Sequence, residues 1–209
     1  MPKPNKTRLN DESTDPSVLD ILEGAPPPPL RSISLFGDLN EEQVQDICNG
    51  LLFLKHTSLD AYEKDNQEGQ KPEPIEFYIS TWGGDALGMF AIYDLIRMIR
   101  DECPINTFAI GKVMSAGVLL LAAGTKGQRK IGKNTRIMLH SVRANHMGTI
   151  HSLENEMNET RWIQNQHIEA LVEETSMSKR QLNTMLNKKV DVYLSAKDAI
   201  KLGIADIIV

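Results

Sequence analysis

Three side chains in this sequence have the types needed to open an acyl bond with an activated alcohol: Ser115, His140 and Asp191. A hydroxyl is a weak nucleophile at neutral pH. It needs a base within hydrogen-bond reach, a third group that fixes the tautomer of that base, and N–H donors aimed at the oxyanion that forms during attack. Ser115 follows the apolar run 105–110 and the segment Gly111-Lys112-Val113-Met114, and it opens the apolar run 116–121. A serine at a sharp strand-to-helix turn presents its oxygen beside helix N–H groups that have no intrahelical acceptor. The local string Met-Ser-Ala-Gly is not a complete Gly-x-Ser-x-Gly, because Val113 stands where the first glycine belongs. Taken alone, such a serine is also an ordinary helix cap.

His140 is the best-placed base of the five histidines, since it ends the apolar stretch Ile137-Met138-Leu139. By itself it reads equally as a hydrogen-bonded structural histidine. His56 falls at an expected helix end, and His146, His151 and His167 fall in or near a long polar helix, where they are expected to face solvent. His146 and His151 are five apart and share no helical face, which argues against a metal pair. Asp191 sits between Val190 and Val192, just before Tyr193-Leu194. If buried there it must be paired, and orienting a histidine is one such pairing; a turn aspartate facing water is the other reading. Gly83-Gly84, between an expected strand and helix, can turn N–H groups toward an anion or form a plain tight turn. Their Gly-Gly-x-x-x-Gly string fits neither the dinucleotide nor the phosphate-loop pattern.

The elements that must carry these residues follow from periodicity and caps. A strand is expected from Ile33 to Phe36, closing at Gly37-Asp38, then a helix capped by Asn40 with Val44, Ile47, Cys48, Leu51 and Leu52 on its apolar face. Residues 58–74 read as a loop. A strand from Ile75 to Ser80 leads through Gly83-Gly84 into a helix over 85–100 with Leu87, Ala91, Leu95 and Ile99 at helical spacing. A strand over 105–110, a turn over 111–114, a buried helix over 115–123 and a strand over 137–139 follow. A long helix over about 148–175 carries Ile150, Leu153, Met157, Ile163 and Leu171 broadly along one face. Ser178 and Ser195 cap two short helices, and residues 204–209 make a last strand. Repeated strand–helix alternation predicts an α/β domain with crossover connections and a largely parallel sheet. The long helix lacks an obvious cover within so short a chain, which leaves oligomer contacts and burial within the subunit both open.

Composition narrows the function classes. The chain has 209 residues and a net charge of −5, enough for one core and with no basic stripe for nucleic acid. The densest basic run, Lys126, Arg129, Lys130 and Lys133, reads as a solvated loop. Two cysteines, Cys48 and Cys103, make no disulfide framework and fit a reducing compartment. No apolar run is long enough to span a membrane, and the acidic N-terminal segment has no signal-peptide core. Residues 1–30, ending in Pro26-Pro27-Pro28-Pro29, are too polar to order alone and read as a flexible arm or a propeptide. Residues 31–209 read as one domain.

These signals occur together in one order. From Ile33 onward the chain resembles the ClpP family of caseinolytic serine peptidases. The resemblance is carried by Ser34-Leu35-Phe36-Gly37-Asp38-Leu39, Leu51-Leu52-Phe53-Leu54, Phe77-Tyr78-Ile79-Ser80-Thr81-Trp82-Gly83-Gly84 and Ala91-Ile92-Tyr93-Asp94. It continues in Gly111-Lys112-Val113-Met114-Ser115-Ala116-Gly117, Arg136-Ile137-Met138-Leu139-His140, Asp191-Val192-Tyr193-Leu194-Ser195-Ala196 and Gly203-Ile204-Ala205-Asp206. It implies a ClpP/crotonase-like fold of repeated β-β-α units with a protruding handle helix over about 145–175. It implies Ser115 as nucleophile, His140 as base, Asp191 as the residue that orients the histidine, and an oxyanion hole from the N–H groups near Gly84 and of Ala116. It also implies heptameric rings stacked as a cytoplasmic tetradecamer that degrades unfolded polypeptides. These are fed by an AAA+ Clp unfoldase that consumes the ATP, so the chain itself binds no cofactor. Departures are Ala116 where the family has methionine, Ser141-Val142 where it has Gln-Pro, and Asp85 where an apolar residue is usual; a carboxylate at 85 aimed inward would oppose an oxyanion. Residues 58–74 look like an insertion. The competing readings are a catalytically silent ring subunit, an acyl-CoA enzyme of the crotonase type, which has no use for the three residues together, and a self-processing protease of the capsid-maturation kind.

Overall fold

The structure, a computed structural model, describes residues 30–65, 72–186 and 190–209. Except for Leu30, the arm expected over 1–30 lies outside the described residues, as do 66–71 of the expected 58–74 loop.

Strand β1 (Ser32–Leu39) leads into helix α1 (Glu41–Asp65). Asn40 starts that helix as expected, its Oδ1 accepting from the Gln43 N–H at 2.9 Å. The helix does not end at residue 57; it runs on through Asp65, so the first half of the expected loop is helical. Ser58 explains the extension. Its hydroxyl is buried, donates to the Glu73 carbonyl at 2.8 Å and accepts from Arg31, which ties the added turns to the body.

Strand β2 (Ile75–Gly84) is followed by α2 (Ala86–Ile99), β3 (Ile105–Met114) and α3 (Ala116–Ala122). The buried face of α2 is Gly88, Met89, Ile92, Tyr93, Ile96 and Ile99. Of the four apolar positions expected to share that face only Ile99 lies on it, and Leu87 is exposed. A four-residue spacing drifts around a helix of 3.6 residues per turn, and the packed stripe is the one one turn-fraction away. The segment 111–114, expected as a turn, continues β3. Gly111 lies at φ 68° and bends the strand there. Phe108 and Ala109 before the bend pair with β4 (Lys130–Ile131), while Lys112, Val113 and Met114 after it pair with β5 (Arg136–Leu139).

The chain then forms α4 (Ile150–Glu174), α5 (Lys179–Leu186), β6 (Val192–Leu194), α6 (Ala196–Lys201) and β7 (Ile207–Ile208). The sheet runs β1-β2-β3-β4-β7 in parallel, with β5 against the far half of β3 and β6 antiparallel to β5. This is the α/β architecture the alternation predicts. The last strand is shorter than expected, because Ile204 and Ala205 pack into the core instead. The core takes in the inner faces of the sheet and of α1–α3 together with buried residues of α4, α5 and α6, and every residue of α3 is buried.

Helix α4 is divided. Residues 150–159 are exposed, with Ile150, Leu153 and Met157 among them, while His167, Ile168, Ala170, Leu171 and Glu174 are buried. Burial within the subunit therefore holds for the second half of the long helix, while the first half stands exposed. Glu174 is the anchor of the buried half. It pairs with Arg100 and Lys126, each at 2.9 Å, and accepts from the Tyr93 hydroxyl. Burial alone would raise its pKa, but these bonds outweigh burial and hold it below the ordinary value. The basic run is thus not solvated throughout. Arg129 is buried, forks onto both Asp206 oxygens and donates to the Ala122 and Glu174 carbonyls. Among the described residues, no helix is long and apolar enough to cross a membrane.

Candidate active site

The sheet register brings the three singled-out residues to one edge. Met114 pairs with Met138, so Ser115 and His140 leave the carboxyl ends of adjacent parallel strands, the side of such sheets where ligands bind. The Ser115 N–H donates to the Met138 carbonyl at 2.8 Å, which fixes the serine against the strand that ends in the histidine. Leu139 pairs with Val192 on the antiparallel strand β6, which sets Asp191 opposite His140 where the ladder ends.

Ser115 has φ 53° and ψ −121°, and among the described residues it is the sole non-glycine with positive φ. Strain of this kind, about 1–3 kcal/mol, persists where the surroundings over-determine the backbone. Gly83 is part of those surroundings. At φ 100° it lies so close that a side-chain carbon on it would stand 2.6 Å from Ser115 Cβ and 3.0 Å from Oγ. The buried Thr81 hydroxyl accepts from the Gly83 N–H at 2.9 Å and holds that turn. Ser115 makes no side-chain cap bond, so the plain helix-cap reading does not describe it. The Ala116 N–H, first in α3, has no intrahelical acceptor, and both Gly84 and Ala116 line the cleft in front of Ser115.

That cleft has a volume of about 400 Å³ and is lined by Trp82, Gly84, Asp85, Met89, Ser115, Ala116, His140, Arg143, Ile163 and His167, among others. Asp85 does not threaten an oxyanion by default. It caps α2, its Oδ1 accepting from the Leu87 N–H at 3.0 Å, which gives a physical reason for a carboxylate after the double glycine.

The linkage between the three residues differs from a closed triad. His140 Nδ1 lies 2.5 Å from the Ser141 carbonyl, and a carbonyl only accepts, so Nδ1 carries a proton there. Asp191 Oδ1 instead accepts from Arg143 Nη2 at 2.8 Å. Among the described residues, no hydrogen bond joins Ser115 Oγ to His140, or His140 to Asp191. The segment carrying Arg143 is strapped to α4: the Val142 N–H donates to Gln164 Oε1 at 2.6 Å, and His146 contacts Glu156 and Thr160.

Two residues escaped the sequence reading. Arg143 has no motif around it. His167 was expected to face solvent and does not: it is buried, lines the cleft, and its Nε2 has no hydrogen-bond partner. Burial, then the nearby His140 charge, pushes its pKa down to about 4, so the ring is neutral at pH 7. His146 is likewise half-buried rather than solvated, while His151 is exposed as expected and His56 lies within α1 rather than at its end. Among the described residues, no group of three or more His, Cys, Asp or Glu side chains is arranged to hold a metal ion.

A family model described as Clp protease matches residues 29–209. The chain is 32% identical over 140 residues to an ATP-dependent Clp protease proteolytic subunit of Deinococcus radiodurans, covering 66% of this chain and 67% of that protein. It is 30% identical over 183 residues to the ATP-dependent Clp protease proteolytic subunit 4 of Rhodococcus jostii, covering 86% and 90%. It is 28% identical over 176 residues to an ATP-dependent Clp protease proteolytic subunit of Borreliella afzelii, covering 84% and 81%.

Proposed function

The chain belongs to the Clp protease family, and on that premise we propose that it is a serine endopeptidase subunit whose nucleophile is Ser115. The observation that carries this reading is the strained Ser115 backbone, held by Gly83 at the mouth of a cleft that His140 also lines. Ser115 Oγ attacks the peptide carbonyl carbon as His140 Nε2 takes its proton. The N–H groups of Gly84 and Ala116 receive the oxyanion. His140 then protonates the leaving amine, and water, activated by the same nitrogen, releases the acyl group and restores the serine. Asp191 completes the line when its carboxylate leaves Arg143 and takes the His140 Nδ1–H from the Ser141 carbonyl.

The subunit works in stacked seven-membered rings that receive unfolded polypeptide from an AAA+ unfoldase, which spends the ATP; the chain binds no cofactor of its own. The exposed apolar residues Ile150, Leu153 and Met157 on the first half of α4 support a ring-to-ring contact through that helix. The test is hydrolysis of a fluorogenic peptide and fluorophosphonate labelling, both abolished by Ser115→Ala, together with the solution mass of the purified protein. Labelling of a residue other than Ser115 sinks the assignment.

A second reading, a catalytically silent ring subunit, draws on the Arg143–Asp191 pair, which occupies the carboxylate that catalysis requires. It predicts a ring of normal mass that neither reacts with the probe nor cleaves peptide.

A further inference from the structure

Resting on the peptidase reading, we propose that Thr81 is a positioning residue that sets both oxyanion donors at once, the Gly84 N–H through its hydroxyl and the Ala116 N–H through its methyl group.

Thr81 stands where the sheet ladder breaks. On one side Gly37 pairs with Thr81 but Asp38 pairs with Gly83, so Trp82 is skipped. On the other, Ile79 pairs with Ala109 and Thr81 with Val113, so two steps along β2 match four along β3. Where a ladder is interrupted, buried N–H groups need other acceptors. The Thr81 side chain is wholly buried, and its Oγ1 accepts from the Gly83 N–H at 2.9 Å.

The same hydroxyl donates to the Gly83 carbonyl at 3.4 Å. That carbonyl and the Gly84 N–H belong to one planar trans peptide and point in opposite directions. Turning the carbonyl toward Thr81 therefore turns the Gly84 N–H away from it, and Gly84 lines the cleft. The methyl group faces α3. A side-chain carbon on Gly117 would stand 2.4 Å from Thr81 Cγ2, so the methyl group seats closely on Gly117, the residue bonded to Ala116. One side chain thus touches both segments that carry the donors without itself lining the cleft. Valine has the same shape and suits a buried strand, so a hydroxyl here carries a desolvation cost that its two bonds to Gly83 offset.

The experiment separates the two halves of the side chain. Thr81→Val keeps the shape and removes the hydroxyl, and Thr81→Ser keeps the hydroxyl and removes the methyl group. On a fluorogenic peptide, Thr81→Val is expected to lower kcat about a hundredfold, the loss that follows removal of one oxyanion donor, with KM within about twofold of the parent. Thr81→Ser stays within about tenfold of the parent. A peptide boronate forms a tetrahedral adduct on Ser115 with an oxygen at the oxyanion position, and its affinity for Thr81→Val falls by the same factor as kcat/KM. The uncut peptide, followed by fluorescence polarisation, binds Ser115→Ala with one affinity whether or not Thr81→Val is added. Gly117→Ala lowers kcat/KM at least about tenfold, and adding Thr81→Ser, which removes the colliding methyl group, recovers most of it. Thr81→Val at the parent rate, or a loss of uncut-peptide binding as large as the loss of rate, overturns the role of Thr81 and leaves the peptidase reading intact. A Gly117→Ala defect that Thr81→Ser leaves unchanged overturns the joint setting of the two donors. A parent protein that neither cleaves peptide nor binds the boronate overturns the peptidase reading, and the role of Thr81 with it.

Discussion

Arg143 Nη2 donates to Asp191 Oδ1 at 2.8 Å, and that bond holds the carboxylate away from a histidine that the strand register sets opposite it. The Arg143 side chain is 70% exposed and that of Asp191 32%, so water screens the pair. Exposed pairs contribute roughly 0.2–1 kcal/mol. Arg143→Ala should therefore free Asp191 cheaply and raise kcat/KM on a small peptide by up to about fivefold. Arg143→Lys should lie between. A fall in rate comparable with that of Asp191→Ala would show that the arginine helps the site rather than diverting its carboxylate.

The strain at Ser115 predicts a trade between stability and chemistry. Its φ of 53° suits glycine, and its Cβ lies where a side chain on Gly83 would collide with it. Ser115→Gly should raise unfolding stability by about 1 kcal/mol in urea melts, whereas Ser115→Ala, which keeps the Cβ, should stay within about 0.5 kcal/mol of the parent. Both lose hydrolysis and probe labelling. Equal stabilities of the two variants would mean that no strain is stored there.

Gly83 is the reciprocal case. A Cβ at φ 100°, 2.6 Å from Ser115 Cβ, forces the serine or the turn to move. A displacement of about 1 Å at a reacting atom costs on the order of a hundredfold in rate. Gly83→Ala should cut kcat/KM by that order while circular dichroism still reports the fold. Activity within threefold of the parent would place the crowding away from the reacting oxygen.

Fold and site were legible to different depths. The alternation of strands and capped helices gave the parallel sheet, and the Asn40, Ser178 and Ser195 caps appear where local chemistry puts them. The face of α2 was not legible, because a four-residue row drifts around the helix by about a third of a turn between Leu87 and Ile99. The continuation of α1 past residue 57 depends on Ser58 meeting Glu73 and Arg31, a contact across 15 and 27 positions that no local pattern encodes. Ser115 and His140 were visible as strand-end residues because sheet topology gathers strand ends. The burial of His167 was invisible, since the flanking Gln166 and Glu169 are exposed or half-exposed and only the docking of α4 on α3 distinguishes its face.

That burial also makes the protein acid-sensitive in a defined window. His167 has its pKa lowered from 6.5 to about 4, first by burial and then by the charge on His140. Above pH 6.5 the ring is neutral folded and unfolded, and its contribution to stability is unaffected by pH. Between 6.5 and about 4 the unfolded chain binds a proton that the folded chain refuses, so stability falls as pH falls. The gap from 6.5 to about 4 is about 2.5 pH units, which at 1.36 kcal/mol per unit is on the order of 3 kcal/mol. Glu174, also held below its ordinary value, adds a loss in the same direction only at lower pH, as it protonates. His167→Leu should therefore gain stability over the parent steadily from pH 6.5 down to about pH 4, with the two denaturation curves keeping a constant separation above pH 7. Parallel pH profiles across that range would mean that His167 is protonated as readily in the folded protein as in the unfolded chain, and that the imidazole is not enclosed.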